Sequence, residues 1–424
     1  PFFNTSAIAS GSTFLESGYE VTWSGSKGYP RTTTFHEGRL YFGGAKSRPN
    51  TVFASRVGRF FDFNPGEGLD DDSIEVTLAT DNTNAIVGMF SGRDLQIFTK
   101  GGEFFLPQSS LDPITPSNVV INGATRRGAK EGIKPVGAES GTLFIQRAGK
   151  ALREFLFSDV ELSYISNNIS LLSSHLLKNP TDMALRKATS TTDGDLLLLV
   201  NSTDGSLATY SILRGQNVIA PSLSTTDGTF EKVGVDVDQI YFVVKRTISS
   251  STKYYVECFN DDNTTDSSKL FSGGSKPSTT TVTGLSHLEG KTVKVIADDS
   301  MQNDKTVSSG QITLDAVPTT YVEIGLDYTP EVKTLPVELK LSSGNIVAQK
   351  KRIIEATCNL YLSQNLTLNG KDFLFTVGSG QFFTGKKRRK PMLGFDREGQ
   401  MTFSQSSPLF FTLLGVEYKV SVGQ

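Results

Sequence analysis

Along most of the chain, apolar residues recur near alternate positions in short runs cut by Gly, Asn, Asp or Pro. A period of two, broken at turn formers, predicts β-strands joined as hairpins. Residues 28–63 carry the pattern most densely. Tyr29-Pro30 forces an extended start, because a residue before proline is pushed out of the α region. Residues 32–35 and 39–42 read as the arms of a hairpin around Glu37-Gly38. Gly43-Gly44 interrupts the second arm, and 47–50 form a further turn before a strand over 51–55. Strands are also predicted over 74–78, 85–90, 94–99, 101–105, 142–146 and 151–157, with tight turns at 91–93 and 147–150. Residues 107–134, rich in Pro, Asn and Gly, read as a long connection.

One segment departs from this pattern. Ile165, Ile169, Leu172 and Leu176 fall at i, i+4, i+7 and i+11, and Asn179-Pro180 follows, so the spacing predicts a short helix over about 162–177. Strands resume over 182–260 around Asp193-Gly194, Asp204-Gly205 and Asp227-Gly228, pairs that favour tight turns because both residues tolerate positive φ. The apolar runs 196–200 and 207–213 form the clearest hairpin, and 239–246 with 253–259 form another.

The expected fold is all-β, with β-propeller-like blades of short antiparallel strands, an additional small β-barrel or sandwich domain and one short helix. Residues 1–27 read as a lead-in with a strand at 19–23, and 28–260 as the blades. Residues 260–280 read as a linker and 281–342 as the small domain. The C-terminal strands of 345–424 are read as completing the propeller.

Composition narrows the function classes. A net charge of −2 over 424 residues gives no bulk electrostatic case for binding nucleic acid or an anionic membrane. The first residue is Pro1 rather than Met, and a longer N-terminal part is expected ahead of it. Cys258 and Cys358 are the only cysteines, so there is no disulfide framework. No apolar run approaches the ~20 residues of a membrane-spanning helix.

Candidate chemistry is sparse. The three histidines, His36, His175 and His287, lie in a hairpin, the predicted helix and the small domain, with no HExxH or Cys/His cluster. There is no G-x-S-x-G elbow. Gly290-Lys291-Thr292 lacks the earlier glycine of a phosphate loop, and Leu285 holds that place. Asp70, Asp71 and Asp72 read as a solvated turn, since the glycine and terminal glutamate of a calcium loop do not follow. Any two carboxylates at the right distance would serve glycoside hydrolysis, so the sequence leaves that alternative open. Lys386, Lys387, Arg388, Arg389 and Lys390 form a basic run, read as a loop. With Arg126, Arg127 and Lys130 of the long connection, they are the candidates for contact with a partner or a channel. No catalytic, metal-binding or cofactor-binding residue is assigned.

Several blocks in order carry a resemblance. They are GYPRTTTFHEGRLYFGGAKSRPNTVFASRVGRFFDF from Gly28, LDDDSI from Leu69, LFIQRAGKALREF from Leu143 and LLSSHL from Leu171. TDGTF from Thr226, KRTI from Lys245, YYVE from Tyr254 and GLSHLEG from Gly284 follow. From about residue 28 to the C-terminus, the chain resembles the tail nozzle proteins of short-tailed bacteriophages. That family is also called tail tubular protein B, and includes related tail-stabilisation proteins. The resemblance implies a β-propeller-based virion protein without enzymatic activity or cofactor. It would form a homohexameric ring around the channel through which phage DNA is ejected, in contact with the tail adaptor and fibres. A carbohydrate-binding or glycan-degrading module of a phage tail, acting on host surface glycan, is the alternative. On the structural reading, Arg31, Arg39 and Arg48 are expected to brace strands and turns by pairing with Glu37, Asp62 or Asp70, Asp71 and Asp72.

Overall fold

Five antiparallel sheets follow one another from the start of the described chain. The structure is a computed structural model and describes residues 22–423 except 81–83, 108–112, 140, 191–192, 339, 342–343, 346–348, 376–377, 379 and 391–393. The first sheet contains β1 (Thr32–His36), β2 (Arg39–Gly43), β3 (Thr51–Ala54) and β4 (Ile74–Thr77). The second contains β5 (Ile86–Ser91), β6 (Leu95–Thr99), β7 (Glu103–Leu106) and β8 (Asn122–Thr125). The third contains β9 (Val136–Gly137), β10 (Thr142–Ile145), β11 (Leu152–Ser158) and β12 (Ser163–Asn168). The fourth contains β13 (Pro180–Arg186), β14 (Asp195–Asn201), β15 (Leu207–Leu213) and β16 (Val218–Ser224). The fifth contains β17 (Thr229–Asp236), β18 (Gln239–Ile248) and β19 (Ser251–Cys258). In each sheet the strands neighbour one another in sequence order, the up-and-down meander of a propeller blade.

The sheets stack face to face in chain order. Tyr41, Val52 and Ile74 of the first pack on Ile86, Met89 and Ile97 of the second. Phe98 and Phe105 of the second meet Phe144, Phe155 and Tyr164 of the third. Leu143, Ile145 and Leu152 of the third meet Met183, Leu197, Leu199 and Tyr210 of the fourth. Leu198, Val200 and Leu207 of the fourth meet Ile240, Phe242 and Val244 of the fifth. β14 shows why its apolar run is unbroken. Leu197 and Leu199 face one neighbouring sheet while Leu198 and Val200 face the other, so both sides of the strand are buried.

Polar side chains stitch each sheet to the next. Thr32 Oγ1 accepts the Met89 N–H at 3.1 Å. The Tyr164 hydroxyl donates to Asp94 Oδ2 at 2.8 Å. Arg214 pairs with the buried Glu154. Asp182 Oδ2 accepts the Val233 N–H at 3.1 Å. Gly44 allows a close approach between the first two sheets. Its φ is +76°, and a Cβ there would lie 2.4 Å from the Ile86 carbonyl oxygen.

Among the described residues there is no α-helix, so the helix expected over 162–177 is corrected. Its first part is β12, paired with β11 in the register Leu156↔Ile165, and its last part is a single 3₁₀ turn at Ser174–Leu176. The apolar stripe does not share a face: Ile169 joins the core, whereas Leu172 is 93% exposed. Pairing with β11 satisfies the backbone of this segment, and that outweighs a helical spacing with no continuous face to bury.

The chain divides into two compact units, 1–245 with Tyr254–Phe259, and Arg246–Lys253 with Asn260–Gln424. In the second, strand Asp266–Ser272 pairs with Tyr321–Leu326, which pairs in turn with Thr292–Ala297. Residues 260–280, expected to be a linker, therefore supply an edge of the small domain. The core of that domain is Val282, Leu285, Leu288, Val293, Val295, Ile312, Val322 and Ile324. Val337, expected to belong to it, packs instead with Ile353, Leu360 and Phe403. The long strand Lys351–Ser363 is central in a sheet with Phe383–Arg389 and Thr412–Val422. The basic run is thus corrected from a loop to an edge strand, with only Lys390 beyond its end. Of the expected strand at 19–23, residues 19–21 lie outside the described residues. Trp23 lies outside any strand and packs edge-on against Phe42, Phe53 and Phe63.

Candidate functional site

The first strands of four sheets line one open cavity of about 350 Å³ in the first unit. β1 contributes Thr33 and Thr34, β5 contributes Met89, Phe90 and Ser91, β9 contributes Val136 and Gly137, and β13 contributes Leu185. Lys134 and Pro135 precede β9, and Lys187 follows β13. The innermost strands of propeller blades surround a central channel in this way. The lining holds two lysines and hydroxyls but no Asp or Glu. Asp195, buried at the start of β14, accepts the backbone N–H groups of Glu139 at 3.2 Å and Ala188 at 2.9 Å. It thereby joins the two segments that carry the lysines. Ser91 Oγ shares a hydrogen bond with His36 Nδ1 at 2.9 Å. No local motif marks these residues, because they come from separate sheets.

The charged residues of the first sheet form a structural knot. Arg39 is 1% exposed, and its guanidinium donates to the carbonyls of Ser55 at 2.8 Å, Asp70 at 2.7 Å and Asp72. Burial lowers its pKa, and the Asp71 and Asp72 carboxylates partly offset that. Neighbouring Tyr41 is pushed up to about 12, chiefly by burial. Asp72 Oδ2 accepts three backbone N–H groups, from Glu67, Gly68 and Leu69 at 2.9–3.1 Å, and these hold its pKa down, Leu69 most of all. Arg56 pairs with Asp71 at 3.1 Å and with Asp72 at 2.9 Å. The expected pairing is therefore corrected. Arg39 takes main-chain oxygens rather than a carboxylate, Arg31 pairs with Glu131, and Arg48 pairs with Glu75. A buried guanidinium with several fixed donors suits a cage of carbonyls better than a single carboxylate.

In the long connection Arg126 and Arg127 are exposed, while Lys130 is held by Asn179 and has its pKa lowered by burial. The Arg127 N–H donates to Glu103 Oε2 at 3.2 Å, and the Thr125 hydroxyl donates to the same oxygen. Glu103 is fully buried, and burial raises its pKa against those hydrogen bonds.

In the second unit each side chain of the basic strand has a partner. Lys386 pairs with Glu417 at 2.8 Å, and Arg388 approaches Glu355 at 3.7 Å. Lys387 lies over the Phe383 and Phe375 rings at 4.5 and 5.3 Å, and donates to the Leu374 carbonyl at 2.7 Å. Arg389 donates to the Asp372 carbonyl and lies over Phe373 at 5.9 Å. Lys390 is exposed.

The three histidines stay apart. His36 is buried in the first sheet, His175 is exposed, and His287 Nε2 lies 3.2 Å from the Ser267 carbonyl. Among the described residues no group of three or more His, Cys, Asp or Glu is placed to hold a metal ion.

No protein-family model and no curated protein sequence matches the chain. Solved structures give weak likenesses, of which three follow. An exo-beta-1,3-galactanase from Phanerochaete chrysosporium, with beta-1,3-galactotriose, is 8% identical over 93% of this chain and 96% of its own, with a TM-score of 0.27. The Nup133 β-propeller domain of Vanderwaltozyma polyspora is 11% identical over 71% of this chain and 84% of its own, with a TM-score of 0.34. The Malassezia sympodialis allergen Mala s 1 is 8% identical over 51% of this chain and 86% of its own, with a TM-score of 0.22. At such TM-scores these likenesses carry no argument about this chain. The all-β, blade-like architecture rests on the pairing of its own strands.

Proposed function

We propose that the chain is a structural subunit of a short-tailed phage tail, of the nozzle kind, which packs against copies of itself in a ring around the DNA exit channel. The observation that carries this reading is a group of exposed apolar side chains on β1 and on the connection after β3. Phe35 and Phe61 are 61% and 77% exposed, Val57 and Phe60 also stand open, and the Phe35 and Phe60 rings lie 5.1 Å apart. Apolar surface gathered in this way favours burial against another protein surface. The ordered sequence blocks that resemble the nozzle family support the same reading. So does the use of charged side chains, many of which are spent on carbonyls and internal ion pairs. A net charge of −2 suits the wall of a path for a polyanion, since each neutralised phosphate tightens binding.

Mass measurement across a concentration series tests the proposal. Higher-order species should appear as concentration rises and should weaken in the Phe35→Ser/Phe61→Ser variant. A native chain that stays monomeric throughout would count against the ring. Incubation with host polysaccharide supplies a second arm, in which reproducible shortening of the polymer would sink the purely structural reading.

A further inference from the structure

We propose that the central cavity of the first unit binds a small divalent oxyanion of the phosphate type, held by Lys134 and Lys187. Both lysines line the cavity, and neither has an ion-pair partner among the described residues. Their neighbours differ. Arg186, the residue before Lys187, is tied to Asp193 at 3.1 Å, and Lys100 is tied to Glu131 at 2.7 Å. No carboxylate shares the lining with the two ammonium groups, so they reinforce one another's field inside the cavity. Met89, Phe90, Pro135, Val136 and Leu185 supply the apolar part of the walls.

The chemistry of the lining selects the ligand class. Two positive charges are neutralised by one dianion, whereas a monocarboxylate leaves one uncompensated. Thr33 and Ser91 bring hydroxyl-bearing residues to the same lining, groups of a kind that donate to the oxygens of a tetrahedral ion. A volume of about 350 Å³ lies at the small end of ligand pockets, roughly 300–1,000 Å³. It leaves ample room for a free phosphate ion or for a phosphate monoester. Asp195 braces the backbone behind the cavity, accepting the Ala188 N–H next to Lys187 and the Glu139 N–H past the end of β9. This inference does not depend on ring assembly.

Isothermal titration calorimetry with the full chain tests it, using inorganic phosphate, phosphoserine and acetate at matched ionic strength in chloride. We expect saturable binding of one phosphate or phosphoserine per chain and no comparable binding of acetate. The Lys134→Gln/Lys187→Gln variant should bind at least about ten-fold more weakly. Both side chains are exposed, so this variant should keep its melting temperature. Lys386→Gln/Arg388→Gln, on the basic strand, should bind like the native chain. Tighter phosphoserine would identify a monoester as the preferred source, and equal or tighter phosphate would identify the free ion. The proposal is overturned if the native chain shows no saturable binding, if acetate binds equally well, or if the cavity variant binds unchanged.

Discussion

Arg39 holds the first sheet together by closing three main-chain carbonyls around one buried cation. Removing it strands the Ser55 and Asp72 carbonyls in the interior, each at roughly 1–3 kcal/mol. Arg39→Ala should therefore lower stability by about 3 kcal/mol or more, and Arg39→Lys should not restore it, since an ammonium cannot span the same fork. Urea unfolding of the two variants decides this, and an unchanged midpoint would refute the account. Glu103 makes a different prediction. Burial raises its pKa above the ordinary 4.5, so the folded state holds the proton more tightly than the unfolded chain. Its contribution is fully present below pH 4.5 and is lost as pH rises through the folded-state value. Glu103→Gln removes that dependence. The stability of the native protein relative to the variant should fall as pH rises from 4 to 7, and a difference that stays constant would contradict it.

Single strands show why charge runs and apolar runs mislead when read locally. The basic strand Phe383–Arg389 alternates between two environments because successive side chains point to opposite faces. Lys386 stands in solvent beside Glu417, where an exposed pair contributes little. Lys387 lies over two phenylalanine rings and reaches a carbonyl. Lys386→Ala should change stability by no more than about 0.5 kcal/mol. Lys387→Ala should cost about 1–2 kcal/mol through lost cation–π and hydrogen-bond contacts. Equal effects in denaturant titrations would show that the alternation has no energetic meaning. The hairpin of β14 and β15 was legible because Asp204-Gly205 separates two apolar runs, and the pairing Val200↔Leu207 places the turn there. The stretch around Ile165 was not, because its spacing imitates a helix while its main chain is paired with β11.

The chain as a whole comprises two compact units, each with its own cores. Trp23 is the sole tryptophan and packs on the first sheet, so its fluorescence reports the first unit alone. Far-ultraviolet circular dichroism reports strands in both. Separate cores favour separate transitions, so the two probes should give non-coincident urea curves. Superimposable curves would mean that the units unfold as one.

The sequence by itself determined the local layer of this protein: short strands, tight turns, an all-β class and the absence of familiar catalytic motifs. These follow from side-chain period and backbone preference, which act over a few residues. It also marked Arg39 and Asp72 as structural, although Arg39 proved to bind main-chain carbonyls and Asp72 to accept main-chain N–H groups as well as pair with Arg56. Only the tertiary structure decided which side chains meet. Thr33, Ser91, Lys134 and Lys187 are scattered along the chain, and stacking of the sheets places them around one cavity. The same stacking buries β14 on both faces and joins Asp94 to Tyr164. Such contacts depend on how sheets pack, and a pattern that repeats along one strand carries no record of that packing.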